Sequence, residues 1–270
     1  MRAIGREGRI VLDKVIVFKC GGSALDDLST SFFENIQFLQ AAGLQPVIVH
    51  GGGPAIQHML DRLDIASEFV DGLRKTTPEM MEIVEMVLVG HVNPALTRKM
   101  NQLGLNALGV SGTDLHLLEA KPIDLDKYGL VGEIVNVNTK WLKQLFQSGV
   151  VPVISPIGIG KDNQIYNINA DTAAGAIASA LGAEQLVFVT DVPGILKDGK
   201  LLEVVTTSEV EKLIEDGTIY GGMIPKVKAA LHGIYGNVKQ VMIVNGKDSE
   251  LKDQTTLKGT TIKVDSTVHV

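Results

Sequence analysis

Six short apolar runs constrain the fold of this chain more than any other feature: Val15–Phe18, Val47–Val49, Ala107–Val110, Val151–Ile154, Leu186–Val189 and Val241–Val244. Each is rich in β-branched residues and too short for a helix, so each reads as a strand buried on both faces. Between them the pattern turns helical. Phe32, Phe33, Ile36 and Leu39 fall at helical spacing, as do Met81, Val84, Val87 and Leu88, and Asp171–Leu181 and Pro225–Tyr235 also read as helices. Alternating strands and helices predict an α/β fold with a mainly parallel sheet covered by helices. The stretch from Gly104 to Asn138, richer in Gly, Asp and short β-like pieces, reads as a hairpin-bearing insertion. The 270 residues suffice for one large domain or two lobes. No low-complexity linker divides them, so two lobes would share one sheet.

Composition excludes several classes. The net charge of −6, from 25 basic and 31 acidic residues, argues against a nucleic-acid binder that relies on a broad basic face. Cys20 is the sole cysteine, so no intrachain disulfide can form. Arg6, Glu7, Arg9, Asp13 and Lys14 interrupt any signal-peptide core near the N-terminus. Asp171 and Glu184 break the mildly apolar segment Ala170–Thr190, which does not read as a membrane span. A cytoplasmic, soluble protein is expected, with neither nucleic acid nor membrane as partner.

Glycine clusters point to an anion. In "VIVFKCGGS" a lysine, Lys19, closes a buried run and two glycines follow, Gly21 and Gly22. In "VIVHGGGP" a strand gives way to Gly51, Gly52 and Gly53, then to Pro54, which suits the first turn of a helix. Three glycines exceed what a tight turn needs. Their amides, with the positive end of the helix, can converge on an anion. In "YGGMIPK" Pro225 places Lys226 in the first turn of a helix. A cation there costs a few tenths to about 1 kcal/mol unless it meets an anion; a solvated surface lysine is the alternative. In "NINAD" Asn167 and Asn169 put two amides on one face of a short strand. Asp171 stands where a helix cap belongs, or where a carboxylate could orient both lysines and assist a magnesium ion.

Other chemistries fit poorly. No G-x-G-x-x-G fingerprint occurs. The nearest approach to a P-loop, Gly194 to Leu201, has Leu201 where a hydroxyl is required, and "LEVV" after it reads as a strand. Asp198-Gly199 suits a hairpin turn instead. The six histidines lack H-E-x-x-H spacing, one cysteine excludes a CxxC zinc site, and Ser23 lacks a G-x-S-x-G elbow. His50 reads as a hydrogen-bonded structural residue, not a base.

Taken in order, "FKCGGSAL", "VIVHGGGPAIQ", "DGLRKTTPE", "NINADTAA", "FVTDVPGIL" and "GGMIPK" resemble the amino acid kinase family over nearly the whole chain. The resemblance is strongest to members that phosphorylate N-acetyl-L-glutamate in arginine biosynthesis. It implies a three-layer αβα sandwich, with residues 1–178 as an acyl-substrate and dimerisation lobe and 179–270 as an ATP lobe. It gives Lys19 and Lys226 the transferring phosphoryl group and Asp171 the task of organising those lysines. Phosphate falls to the amides of Gly21, Gly22, Gly51 and Gly52. The acyl substrate falls to Gly51, Gly52, Arg74, Asn167 and Asn169. ATP falls to Asp191, Val192, Pro193, Gly194, Ile195 and Leu196 with Thr218, Ile219 and Tyr220. Mg2+ is implied as carried by ATP, near Asp171. A homodimer is implied, with Pro78–Met100 as candidate interface. Only about a dozen residues precede the first strand, whereas arginine-inhibited members carry an added N-terminal helix, so insensitivity to arginine is expected. Cys20 departs from the larger apolar residue usual at its position; a small buried filler is the expected role, and a thiol acidified by Lys19 is the alternative.

The residues suit this chemistry on their own terms. Phosphoryl transfer needs in-line positioning and charge compensation, and a carboxylate acceptor, with a free pKa near 4.3, needs no general base. Arg74 suits bidentate capture of a second carboxylate; a surface arginine is the alternative on the residues alone. Two rival activities are compatible with the same residues. One is a kinase for N-acetyl-aminoadipate or carrier-linked aminoadipate, one methylene longer and separated by about 1–3 kcal/mol at most. The other is a non-catalytic nucleotide-binding regulator, which loss of Lys19, Asp171 or Lys226 would mark; all three are present.

Overall fold

The computed structural model describes residues 14–21, 25, 27–221, 223–235, 238–252 and 256–265. Gly22, Ser23 and the segment before Lys14 lie outside it. In chain order the strands are β1 (Lys14–Cys20), β2 (Leu44–His50), β3 (Phe69–Val70), β4 (Leu73–Arg74), β5 (Ala107–Ser111) and β6 (Leu118–Pro122). They continue with β7 (Val131–Val137), β8 (Val151–Ser155), β9 (Ile157–Ile159), β10 (Ile165–Ile168) and β11 (Gln185–Thr190). The last are β12 (Leu196–Lys197), β13 (Lys200–Leu201), β14 (Val204–Thr206), β15 (Gln240–Asn245) and β16 (Gly259–Lys263). The helices are α1 (Thr30–Ala41), α2 (Gly53–Arg62), α3 (Pro78–Val87), α4 (Asn93–Gln102) and α5 (Leu125–Tyr128). After them come α6 (Thr139–Gln147), α7 (Ala170–Leu181), α8 (Thr207–Glu215) and α9 (Met223–Tyr235).

Eight strands form one sheet in the order β14-β16-β15-β11-β1-β2-β8-β5, and all six apolar runs lie in it. Pairing is parallel throughout except between β15 and β16. Side-chain alternation along β1 sends Val15 and Val17 into one apolar cluster, with Ala173, Ala174 and Ile177 of α7 and Val227 and Ala230 of α9. Ile16, Phe18 and Cys20 enter the other, with Phe32, Phe33, Ile36 and Leu39 of α1 and Leu96 and Met100 of α4. Helices therefore cover both faces, and the three-layer αβα sandwich is the observed architecture. β11 pairs directly with β1 in register Cys20↔Val189, so the sheet is continuous. The lobe division expected after residue 178 falls inside α7.

The Gly104–Asn138 segment supplies the edge strand β5 and then the antiparallel hairpin β6–β7, which closes with β9 and β10 into a small barrel. "GILKDGKL" folds as the β12–β13 hairpin, with Asp198 and Gly199 at φ 51° and 73° in its turn. The apolar segment from Pro78 is one continuous run of helix, but it changes pitch: Leu88–Val92 forms a π turn between α3 and α4. Pro94 carries no N–H and cannot bond back to the preceding turn, and the wider turn absorbs that loss. Among the described residues no helix is long and apolar enough to cross a membrane.

Cys20 is fully buried, and burial pushes its thiol up to about 12 against the opposing pull of Lys19. The filler role stands, and the acidified thiol does not.

Candidate active site

Because the central strands β1, β2, β8, β11 and β15 run parallel, their C-terminal ends lie along one edge of the sheet. That edge is where open α/β sheets bind ligands. Two clefts open there.

The first, of about 260 Å3, is lined by Lys19, Gly51, Gly52, Gly53, Arg74, Asn167, Asn169 and Asp171, with Phe69, Leu73 and Leu88 among the apolar walls. Lys19 shares the face of β1 on which α7 packs, so its side chain runs toward the first turn of that helix. Its Nζ lies 2.8 Å from Asp171 Oδ1, with side-chain exposures of 17% and 35%. Asp171 is not the helix cap. Asn169 is: its Oδ1 accepts from the amides of Asp171 (2.9 Å) and Thr172 (3.1 Å). Capping by Asn169 leaves the Asp171 carboxylate available to Lys19.

The glycine amides divide unequally. Gly51 N–H donates to Cys20 O at 2.9 Å, extending the β1–β2 ladder by one rung, and Gly21 N–H points to Val189 O at 3.5 Å on the opposite flank. The expectation that the Gly21 and Gly51 amides face an anion is therefore corrected, because the sheet takes them first. Gly52 caps α2 and Gly53 opens it, so their amides have no partner within the helix, and both residues line the cleft. Gly52 is closely approached: a Cβ there would stand 2.4 Å from Leu88 Cδ2, so the buried leucine would have to shift.

Arg74 ends the tight β3–β4 hairpin, whose turn residues Asp71 and Gly72 have φ of 50° and 79°. That Asp-Gly pair between "FV" and "LR" is a hairpin signal in plain sight in the sequence. The guanidinium is buried. It donates from Nη1 to Gln57 Oε1 (2.7 Å) and to Ser67 Oγ, and from Nη2 to Gly53 O (3.3 Å), and it stacks 4.6 Å from the centre of the Phe69 ring. All of these partners are neutral, and burial lowers its pKa from the usual arginine value. Asn167 Nδ2 donates to Thr76 Oγ1 (3.1 Å), whose hydroxyl in turn donates to Arg74 O (2.8 Å). No local sequence signal marks Gln57, Ser67, Phe69 and Thr76, because their place beside Arg74 depends on which elements fold together.

The second cleft, of about 690 Å3, gathers Asp191, Val192, Pro193, Gly194, Ile195, Leu196, Thr218, Ile219 and Tyr220 with Lys226. Gly194 has φ 141°, and a Cβ there would meet Thr260 Oγ1 at 2.5 Å. Thr260 uses that hydroxyl to accept from Ile195 N–H at 2.8 Å. Lys226 lies in α9, which starts at Met223, two residues earlier than the proline suggested. Its Nζ bonds Asp191 Oδ1 at 2.9 Å, and this hydrogen bond holds the Asp191 carboxyl below its usual range. The structure thus gives each lysine its own carboxylate, and Asp171 does not join them both.

A sequence profile described as the amino acid kinase family matches residues 14–245. An acetylglutamate kinase of Geobacillus sp. (strain WCH70) is 55% identical over 93% of this chain and 98% of its own length. One from Geobacillus kaustophilus (strain HTA426) is 52% identical over 96% and 100%. A crystal structure of a Streptococcus mutans UA159 protein, 34% identical, superposes with a TM-score of 0.82 over 94% of this chain and all of that one.

Proposed function

Because this chain belongs to the amino acid kinase family, we infer that it transfers the γ-phosphoryl group of ATP to the side-chain carboxylate of N-acetyl-L-glutamate, a step of arginine biosynthesis. The product is N-acetyl-L-glutamyl 5-phosphate. One observation carries the choice of acceptor. The cleft that holds Lys19 and the N-terminus of α2 also holds Arg74, a buried guanidinium hydrogen-bonded only to neutral groups among the described residues. Such a site is completed by a carboxylate.

An oxygen of the substrate side-chain carboxylate attacks Pγ, the bond from Pγ to the β,γ-bridging oxygen breaks, and ADP leaves with that electron pair. No proton moves. Lys19 from one cleft and Lys226 from the other meet the charge on the transferring group, with Gly52 and Gly53 amides on its near side. Asp171 holds Lys19 in place. Asp191 holds Lys226 until phosphate oxygens compete for it. Asp191–Leu196 and Thr218–Tyr220 enclose the nucleotide. Among the described residues no cluster of three or more His, Cys, Asp or Glu side chains is arranged to hold a metal ion. Mg2+ held on the ATP phosphates, with Asp171 the carboxylate near them, would screen the β- and γ-oxygens. Residues 1–178 form the acyl-substrate lobe and 179–270 the ATP lobe. The enzyme works in the cytoplasm as a homodimer through Pro78–Met100, where Met86 is 61% exposed.

The test is hydroxylamine trapping of acyl phosphate with Mg-ATP and three acceptors: N-acetylglutamate, N-acetyl-aminoadipate and glutamate. The first is expected to dominate. Product only from the second would move the substrate by one methylene, and no product from any would overturn the reading. Light scattering of the eluted protein decides the dimer.

A further inference from the structure

His50 ends β2 beside the glycine loop, is fully buried, and does nothing in the chemistry above. Its Nδ1 lies 2.7 Å from Gly51 O. A carbonyl only accepts, so Nδ1 carries the hydrogen and Nε2 must be an acceptor. Two donors surround Nε2: Ser155 Oγ at 3.0 Å and Asn93 Nδ2 at 3.2 Å. Asn93 is fastened in turn, donating to Val153 O at 2.8 Å. Burial lowers the ring's pKa to about 4, which keeps it neutral at pH 7.

The Gly51 carbonyl and the Gly52 N–H belong to one trans, planar peptide and point in opposite directions. Holding the carbonyl toward His50 therefore holds the Gly52 amide away from the ring. Gly51 is held at both ends, since its own N–H bonds Cys20 O. Without these bonds a run of three glycines would sample many backbone states. The π turn backs the same loop: Leu88 packs against Gly52, and Leu88 O lies 3.4 Å from Ser155 Oγ.

We propose that His50 is a positioning residue: its Nδ1–H fixes the Gly51–Gly52 peptide so that the Gly52 amide meets the transferring phosphoryl group, and Ser155 and Asn93 select the tautomer that permits it. This rests on the kinase reading above. The group is preorganised in the sense that matters for transition-state charge, because no reorientation remains to be made during transfer.

Two measurements on the full-length protein decide it. Long-range 1H–15N NMR of the imidazole at pH 7 is expected to show Nδ1–H; an Nε2–H signal in active enzyme overturns the proposal alone. Steady-state kinetics then compare His50→Asn, whose amide N–H occupies roughly the Nδ1 place, with His50→Gln and His50→Leu. His50→Asn should keep kcat within about threefold, while the other two lose on the order of tenfold or more, with KM for N-acetylglutamate changed by less than about twofold. Equal losses in Asn and Gln variants of matching melting temperature, or wild-type kcat in all three, overturn it. If the Leu variant fails to fold, the Asn and Gln pair still decides. Wild-type protein inactive with N-acetylglutamate yet showing Nδ1–H would overturn the kinase reading, and the catalytic half of this proposal with it.

Discussion

Lys19 Nζ and Asp171 Oδ1 lie 2.8 Å apart, joining a strand in the middle of the sheet to the first turn of a helix packed on its face. The pair is only partly buried, so its worth to stability is small, and under the proposed function its worth is the placement of a cation. Asp171→Asn should lower kcat by on the order of tenfold and Lys19→Ala by about 10²–10³-fold, with KM for ATP nearly unchanged. Steady-state ADP release measures both. A rise in KM that matches the fall in kcat would mean that the lysine serves ground-state binding only.

Arg74 makes a prediction of the opposite kind. If Arg74 binds the substrate in ground and transition state alike, as proposed, Arg74→Ala and Arg74→Lys should raise KM for N-acetylglutamate by about tenfold or more and leave KM for ATP alone. Lysine should not rescue, because Gln57, Ser67 and Gly53 are matched to a planar fork.

Gly52→Ala places a methyl 2.4 Å from Leu88 Cδ2, and Leu88 is itself buried. The expected cost is about 1–3 kcal/mol in urea denaturation. Adding Leu88→Ala should recover part of it, and a double-mutant cycle that is strictly additive would contradict the contact.

His50 makes stability depend on pH. Buried and neutral, it has its pKa lowered from the ordinary 6.5 to about 4. Between those values only the unfolded chain takes up the proton. The stabilisation is therefore full above pH 6.5 and is lost as pH falls toward 4, by on the order of 3 kcal/mol. Urea titrations across this window should show a steeper fall for wild type than for His50→Asn; parallel curves would rule the histidine out.

Gly194→Ala tests the second cleft. Its φ of 141° and the 2.5 Å approach to Thr260 Oγ1 leave no room for a methyl. KM for ATP should rise several-fold, and KM for N-acetylglutamate should stay as it is.

Much of this was legible in the residues. The short β-branched runs, the helical spacings between them, Asp198-Gly199 as a hairpin turn and the glycine turn from β2 into α2 are local patterns, and each stands where the residues place it. The misreadings also have a common form. Asp171 has the look of a helix cap in the sequence, yet Asn169 two residues earlier takes that place, since the helix begins at Ala170. Asp-Gly at 71 and 72 announces the hairpin that carries Arg74, but nothing local says that Gln57 and Ser67 will meet it.

Local residue patterns suffice for the α/β class, the Gly51–Gly53 turn from strand to helix and the candidate side chains of the site, because strand and helix periods and turn chemistry act over a few residues. Tertiary structure alone decided which carboxylate each lysine meets and which glycine amides remain for a ligand. Those outcomes depend on sheet register and helix placement. Gly51 gives its amide to Cys20 because two strands end level with each other, and Asp191 reaches Lys226 because β11 ends beside α9. Distances of this kind are set by elements far apart in the chain, and no short window of residues contains them.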